Sequence, residues 1–378
     1  MGNGQCAVED MVTSLEAACG LADLGFFAGK RVFVTGHTGF KGSWLCKMLC
    51  DVGAEVTGFA LEPPTDPNLF QIAGIAKGMR SVIGDVRDLD ALSMVFADAK
   101  PEIVLHLAAQ PLVRESYASP RYTYETNVMG TVNILECVRK SDCVRSVVNV
   151  TTDKVYRNNE WEWGYREDDP LDGFDPYSNS KSCSELVTHS YKSSFFADGS
   201  VAISTVRAGN VIGGGDFAVD RIVPDCIRAA MQGIPVVVRN PYSVRPYQHV
   251  LEPLHAYLMI AQRQWEDSSY AGCYNVGPDD CDCITTGGLV DLVCAAWGED
   301  MSWTNRYDGG PHEAGFLKLD CSRLKQVFGW RPRWSIADAV ERTIEWTRVW
   351  QRGGDVAACM SEQISAFGES KMSAAKGY

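Results

Sequence analysis

Tyr177 and Lys181 stand four residues apart, and the string Thr151-Thr152-Asp153-Lys154-Val155-Tyr156 lies just upstream. On a helix, Tyr177 and Lys181 share a face. An ammonium beside a phenol stabilises the phenolate and lowers its pKa, so Tyr177 is expected to serve as a base near neutral pH. Thr152 supplies a hydroxyl to orient an alcohol. These three suffice to oxidise an alcohol by loss of a proton and a hydride. Asp153 and Lys154 add an acid and an amine that such an oxidation does not need, and elimination of water does. The bland alternative makes Asp153 a helix N-cap and Lys154 a solvated charge. A buried strand has no other reason to run into so polar a set.

A hydride needs an acceptor. Gly36-His37-Thr38-Gly39-Phe40-Lys41-Gly42 lies between an apolar β run, Arg31 to Thr35, and a helical pattern through Trp44, Leu45, Met48 and Leu49. Small residues at such a turn let the backbone approach a pyrophosphate, and the helix N-terminus offers N–H donors and a positive dipole end. The spacing predicts a nicotinamide dinucleotide. The second strand ends in Phe59-Ala60-Leu61-Glu62, with no arginine for a 2′-phosphate. Glu62 or Asp66 is placed to accept from a ribose hydroxyl, which favours NAD over NADP. Asp85-Val86 is placed for the adenine edge.

The elements that position these residues alternate. Strands are expected at Arg31–Thr35, Glu55–Ala60, Ser81–Ile83, Ile103–Leu107, Ser146–Val150 and Val201–Arg207, with helices between them, including one long helix from Tyr124 to Arg139. This pattern predicts an α/β fold with a doubly wound parallel sheet, whose ligands bind beyond the carboxyl ends of the strands. The glycine turn, Asp85, Leu107-Ala108-Ala109 and Thr151 to Lys154 all fall at such ends. After residue 208 turns and prolines increase, which reads as a smaller mixed α/β unit closing over the sheet. The expected division is 1–25 as a variable extension, 26–207 as the dinucleotide-binding unit, 208–355 as the substrate unit exchanging some chain with it, and 356–378 as a tail whose last dozen residues fray.

The chain has 378 residues, 46% hydrophobic and 22% charged, as a globular enzyme does. A net charge of −13 argues against nucleic acid as a partner. Positive charge is nevertheless local, at Arg221, Arg228, Arg239 and Arg245, where an anionic substrate could bind. No apolar run is long enough to span a membrane, and no basic region followed by an apolar core opens the chain, so a cytoplasmic protein is expected. Met1-Gly2 lacks the Ser or Thr at position 6 that myristoylation expects, since Cys6 stands there. The 14 cysteines are scattered; Cys281 and Cys283 form a close pair without further ligands, so reduced thiols and no metal are expected.

Several longer strings carry a resemblance. They are Val34 to Trp44, Ala108-Ala109-Gln110-Pro111-Leu112-Val113-Arg114, Asn127 to Thr131, Trp163 to Glu167, Val206 to Asp216, Asp220 to Asp225, and Arg245 to Pro253. Over about Phe26 to Trp350 the chain resembles the extended short-chain dehydrogenase/reductases and, among them, the CDP-glucose 4,6-dehydratases. Related sugar-nucleotide dehydratases carry Glu where Lys154 stands. The resemblance implies a Rossmann fold, NAD, and CDP-glucose as substrate. It implies oxidation at C4 with Tyr177 as base and Thr152 orienting the hydroxyl, removal of the C5 proton by Lys154, proton donation to the C6 hydroxyl by Asp153, and hydride return to C6. That role requires a neutral Lys154. The dinucleotide is then expected on Gly36, Thr38, Gly39, Phe40, Gly42, Asp85, Val86, Leu107, Ala108, Ala109, Gln110, Asn127, Tyr177, Lys181 and Arg207. The substrate is expected on Gln110, Arg114, Asn210, Arg221, Arg245 and His249. A homodimer or a homotetramer, through the helices Tyr124–Arg139 and Tyr177–Phe196, is also implied, as is a role in supplying deoxysugars to surface polysaccharide such as O-antigen. A sugar-nucleotide 4-epimerase would share the glycines, Tyr177 and Lys181 without needing Asp153 or Lys154. A non-catalytic cofactor sensor would not need an intact Tyr–Lys pair.

Overall fold

The computed structural model describes residues 22–298, 301–306 and 315–370. Seven parallel strands form its centre: β1 Arg31–Thr35, β2 Glu55–Ala60, β3 Arg80–Ile83, β4 Ile103–His106, β5 Ser146–Val150, β6 Ala202–Ala208 and β7 Cys273–Val276, in the order β7-β6-β5-β4-β1-β2-β3. The order reverses between β1 and β4, which makes a crevice at their carboxyl ends. The central strands are buried on both faces, and their apolar runs are therefore continuous. In β1, Val32 and Val34 face one layer while Phe33 faces the other.

One layer contains α1 Phe40–Asp51, and the opposite layer contains α2 Leu89–Ala99, α3 Gly130–Arg139 and α4 Pro176–Phe195. Side chains Phe96, Ile134 and Val138 pack there against Phe33, Val104 and Val147. A second unit is built on α5 Ile222–Gln232, α7 Thr286–Trp297 and α8 Ile336–Gln351, around Val223, Val290, Val340 and Ile344. Between α5 and α7 in sequence comes α6 Leu251–Glu266, which packs with α1 on the sheet, so that Trp44, Leu45, Leu254 and Leu258 share one core. Although α6 and β7 follow residue 208, where the second unit with its exchange of chain was expected to begin, they pack with the sheet: β7 completes it beside β6 and α6 covers β5 and β6.

Three further expectations need correction. The helix expected from Tyr124 to Arg139 begins as an α-turn at Pro120–Tyr124 and widens into a π turn at Glu125–Met129 before α3. The wide turn carries Asn127 inward, onto the Gln110 backbone. The tail expected from 356 is a helix, α9 Val356–Glu369, capped by Asp355 and docked on α1. Met360 and Phe367 join the main core because their spacing puts both on the inward face. Of the N-terminal extension, Ala22 is buried and Asp23 caps the turn Leu24–Phe27; the rest, like 371–378, lies outside the described residues. No helix among the described residues is long and apolar enough to cross a membrane.

Two measurements test this packing. Phe367→Ala should destabilise the fold by about 3–5 kcal/mol in chemical denaturation, and a fraying tail would make the change negligible. The second concerns acid. Burial holds His37 near pKa 4 and His106, His249 and His255 near 3. The unfolded chain protonates these rings near pH 6.5 and the folded chain does not, so their contribution is complete above pH 6.5 and is lost as pH falls. The loss is about 1.4 kcal/mol per pH unit for each ring. Glu252, pushed up to about 8 by burial, acts in the opposite sense but is a single group. Denaturation midpoints should therefore drop steeply below about pH 6.5, and a midpoint constant down to about pH 5 would contradict the burial of these rings.

Candidate active site

The crevice opens into a cleft of about 1580 Å³ between the sheet and the second unit. That exceeds the roughly 300–1,000 Å³ of a single small-ligand site, as two nucleotides would require. At one end lies the glycine turn. Gly36 has φ +76°, and a Cβ there would stand 2.8 Å from the Ala108 nitrogen. A Cβ on Gly42 would stand 2.1 Å from the Gly36 carbonyl oxygen. Those two glycines are demanded by packing. Gly39 is different: a Cβ there would meet nothing closer than 3.5 Å, so the space it leaves belongs to the cleft. Gly39 is also the N-cap of α1, and no side chain caps that helix. Its first N–H groups are left for an anion.

Thr38, Phe40, Asp85, Val86, Leu107, Ala108 and Ala109 also line the cleft. Asp85 accepts hydrogen bonds from Arg87, from Nη2 at 2.6 Å and from Nε at 2.9 Å, and Arg87 holds its carboxyl below the ordinary range.

At the middle of the cleft β5 ends. Its polypeptide turns through a 3₁₀ turn, Asp153–Val155, capped by the Thr152 hydroxyl. Thr152 and Lys154 line the cleft wall with Tyr177 and Lys181. Asp153 lies just beneath this wall, 1% exposed, with Oδ2 3.3 Å from where a Cβ on the cleft-lining Gly209 would stand. Thr152 Oγ1 donates to Asp153 Oδ1 at 3.0 Å, and Asp153 Oδ2 is buried with no hydrogen-bond partner. Burial raises the Asp153 pKa, against the pull of Lys154, Thr152, Arg245 and Lys41. The environment thus favours the protonated acid.

Tyr177 stands with Thr152 on the cleft wall. Burial pushes its phenol up to about 12, with Thr152 and Arg221 pulling downward and Asp153 and Asp175 pushing upward. The expectation that Lys181 lowers this pKa is corrected: the Lys181 ammonium instead donates to the Val150 carbonyl at 3.0 Å. Burial draws Lys181 down to about 8, opposed by Glu185.

Glu185 fixes this geometry from below. It lies on α4 one turn beyond Lys181 and is 3% exposed. Its carboxylate accepts from Thr151 at 2.5 Å, Thr205 at 2.6 Å, and Arg207 Nε and Nη2 at 3.0 and 2.9 Å. One group therefore ties the helix bearing Tyr177 and Lys181 to the ends of β5 and β6.

Arg114, Asn210, Arg221, Arg239 and Arg245 line the far wall, while Arg228 does not. Arg221 pairs with Asp216 at 3.1 Å and Arg239 with Asp220 at 2.7 Å. Three assignments from the sequence are corrected. Arg207 does not reach the cleft, because the Glu185 carboxylate and Tyr156 hydroxyl hold it under the sheet edge. His249 is fully buried between Trp44 and Trp334. Asn127 braces the Gln110 backbone and donates to Ser180 Oγ at 2.8 Å rather than facing a ligand. Gln110, by contrast, lines the cleft, its amide oriented by Leu112 and Thr123.

Sequence reading passed over Lys41 and Glu185. Lys41 lines the cleft and donates to the Tyr257 hydroxyl at 3.4 Å. Burial, with Arg221 and Lys181 nearby, draws it down to about 7 against the pull of Asp153. A cation in the first turn of a helix opposes the dipole, and that was its signal. The signal for Glu185 was the four-residue spacing that continues from Tyr177 through Lys181.

Sheet order, glycine turn and the Tyr177–Lys181–Thr152 group together define a short-chain dehydrogenase/reductase site. A profile described as GDP-mannose 4,6 dehydratase matches residues 33–343. CDP-glucose 4,6-dehydratase from Salmonella typhimurium is 50% identical over 353 residues, covering 92% of this chain and 98% of that protein. Among solved structures, UDP-glucose 4-epimerase from Thermotoga maritima superposes with a TM-score of 0.75 at 20% identity, over 85% of this chain and 99% of that one. dTDP-glucose 4,6-dehydratase from Bacillus anthracis, in complex with NAD, gives 0.71 at 21% identity, over 85% and 98%. The chain belongs to the GDP-mannose 4,6-dehydratase family, in the CDP-glucose 4,6-dehydratase branch of the extended short-chain dehydrogenase/reductases.

Removing one partner of the buried pair tests the anchor. Glu185→Gln leaves the Arg207 guanidinium buried without its carboxylate and should cost about 3–5 kcal/mol in denaturation. The double variant Glu185→Met, Arg207→Met should recover much of that stability, and equal losses in both would mean that the pair is not the anchor.

Proposed function

We propose that the chain catalyses NAD-dependent 4,6-dehydration of CDP-D-glucose to CDP-4-dehydro-6-deoxy-D-glucose and water. The carrying observation is the buried acid Asp153, bound by the Thr152 hydroxyl and raised in pKa by burial, with Thr152, Tyr177 and the Lys154 amine together on the cleft wall. An epimerase has no use for that acid. The 50% identical relative supports the same substrate.

The cleft fits a dinucleotide. The gap at Gly39 and the uncapped start of α1 suit a pyrophosphate, and Asp85-Val86 suits the adenine. Beyond β2 the wall is Ala60-Leu61-Glu62, which offers a carboxylate rather than a guanidinium to the ribose and so favours NAD. When bound, the nicotinamide accepts a hydride from C4 of the sugar and returns it to C6. The chain's own residues move protons. Tyr177 as phenolate takes the C4 hydroxyl proton, with Thr152 orienting that hydroxyl. The resulting ketone acidifies the C5 proton, and Lys154 removes it. Asp153, with Oδ2 left unpartnered by the fold, donates to the departing C6 hydroxyl. Arg221 and Arg245 are placed for the substrate diphosphate.

A homodimer through the helices flanking Met129 and α4 is part of the proposal. Met129, Leu186 and Phe195 are large apolar side chains exposed there at 48%, 56% and 51%. Light scattering of the purified protein tests it, and a monomer would refute it.

The activity is tested by incubating purified protein and NAD with CDP-, UDP-, dTDP- and GDP-glucose and measuring mass. Loss of one water from the CDP sugar is expected; a new C4 epimer of unchanged mass would overturn the assignment. Lys154→Ala and Asp153→Asn should each reduce water loss by about 10²- to 10⁴-fold while dinucleotide binding persists. Undiminished water loss in Lys154→Ala would remove that residue from the chemistry.

A further inference from the structure

The groups that share the proposed chemistry are not held equally by the fold. Tyr177 and Lys181 ride on α4, which the Glu185 carboxylate ties to the sheet. Asp153 receives the Thr152 hydroxyl at 3.0 Å. Lys154 is different. Its backbone N–H meets Thr152 Oγ1 at 3.4 Å, but among the described residues its amine has no hydrogen-bond or ion-pair partner. Where that amine stands in the cleft is therefore decided by the backbone of the turn Asp153–Val155.

A serine holds the exit of that turn. The Val155 carbonyl accepts from Ser182 Oγ at 2.7 Å and from the Asp172 N–H at 3.0 Å. Ser182 follows Lys181 on α4 and is 3% exposed. A hydroxyl has one proton to donate and two lone pairs. Ser182 gives its proton to Val155; the Ser178 carbonyl, one turn back, is the longer contact at 3.2 Å. Its oxygen accepts from the Gly173 N–H at 3.0 Å. A Cβ on Gly173 would stand 2.3 Å from the Ser178 carbonyl carbon, so the segment leading into α4 lies directly against that helix. One hydroxyl thus clips the end of the Lys154 turn, and the segment before α4, onto the helix that carries Tyr177.

We propose, on the dehydratase reading above, that Ser182 is a positioning residue for the elimination step. Its hydrogen bond to Val155 sets the Lys154 turn against Tyr177, so that the amine meets the C5 proton of a sugar whose C4 hydroxyl lies at the phenol. The two protons leave bonded neighbours on one ring, which gives the spacing between the two bases little tolerance. Ser182 itself touches no substrate. Its removal leaves Tyr177, Thr152 and the glycine turn in place and loosens the backbone on which Lys154 depends. Oxidation at C4 then continues, while removal of the C5 proton, and the water loss that follows, slows by about 10- to 10²-fold, as a misplacement of about 1 Å does.

Ser182→Ala tests the clip. The Val155 carbonyl keeps its bond from Asp172, and alanine suits a helix interior, so the variant should fold. Rapid mixing of NAD-loaded protein with CDP-glucose, followed by the absorbance of reduced nicotinamide, should show NADH building up in the variant and little in the unaltered protein. Deuterium at C5 of the sugar should slow the variant's turnover more than deuterium at C4 does, because C5 deprotonation has become the slow step. A purely structural role slows C4 oxidation and water loss together and leaves both readouts as they are in the unaltered protein. That result would overturn the proposal, as would an unchanged rate of water loss. Ser182→Cys offers a weaker donor and should fall between serine and alanine in both readouts, which keeps the test available if the alanine variant does not fold. Absence of water loss from CDP-glucose in the unaltered protein would instead refute the dehydratase reading.

Discussion

The Glu185 carboxylate, held out of water between α4 and the ends of β5 and β6, is the constraint on which the rest of the site depends. It accepts from two threonines and a guanidinium that come from both strands. A buried carboxylate with so many partners has a single satisfactory position, because any shift strands a charge in a low-dielectric interior. Lys181 and Tyr177 lie one and two turns before it on the same helix. Fixing Glu185 fixes their height above the sheet and therefore their distance from Thr152. Neighbouring polar contacts lock the same seam, since Asn149 donates to Ser184 and Thr188, and Ser182 donates to the Val155 carbonyl.

Burial does two things at once in this molecule. It stabilises the fold through the apolar faces of the sheet, and it tunes the acids and bases at the sheet's carboxyl edge. Asp153 is raised, while Lys41 and Lys181 are drawn toward neutrality, in every case with desolvation as the largest cause. A site that must carry an acid and an amine near neutral pH benefits from an environment that narrows the gap between them, while the same burial raises the Tyr177 phenol. The cationic side chains facing the cleft are set against that buried group, and Asp216 and Asp220 hold two of them in place.

Thr152 is an orienting hydroxyl by type, and the 3₁₀ turn that follows it folds Asp153 back within reach of that hydroxyl. The tight turn separates neighbours in sequence into wall and backing. Thr152 and Lys154 line the cleft, while Asp153 lies buried just beneath them.

The sequence by itself determined the strand–helix alternation, the glycine turn and the types of group at the strand ends, because those depend on local pattern and spacing. Six of the seven sheet strands and the residues Thr152, Lys154, Tyr177 and Lys181 were legible on that basis. Tertiary structure decided what depends on contacts between distant segments. The seventh strand, Cys273–Val276, joins the sheet through pairing with β6, which no local pattern announces. The helix Val356–Glu369 forms a core face only because α1 presents a complementary one. Arg207, His249 and Asn127 carry residue types suited to ligands, yet each is claimed by a buried partner or packing site from elsewhere in the chain. Residue type and spacing announce which chemistry is available; which side chain reaches the cleft is settled by competition for partners in three dimensions, and a linear sequence does not display that competition.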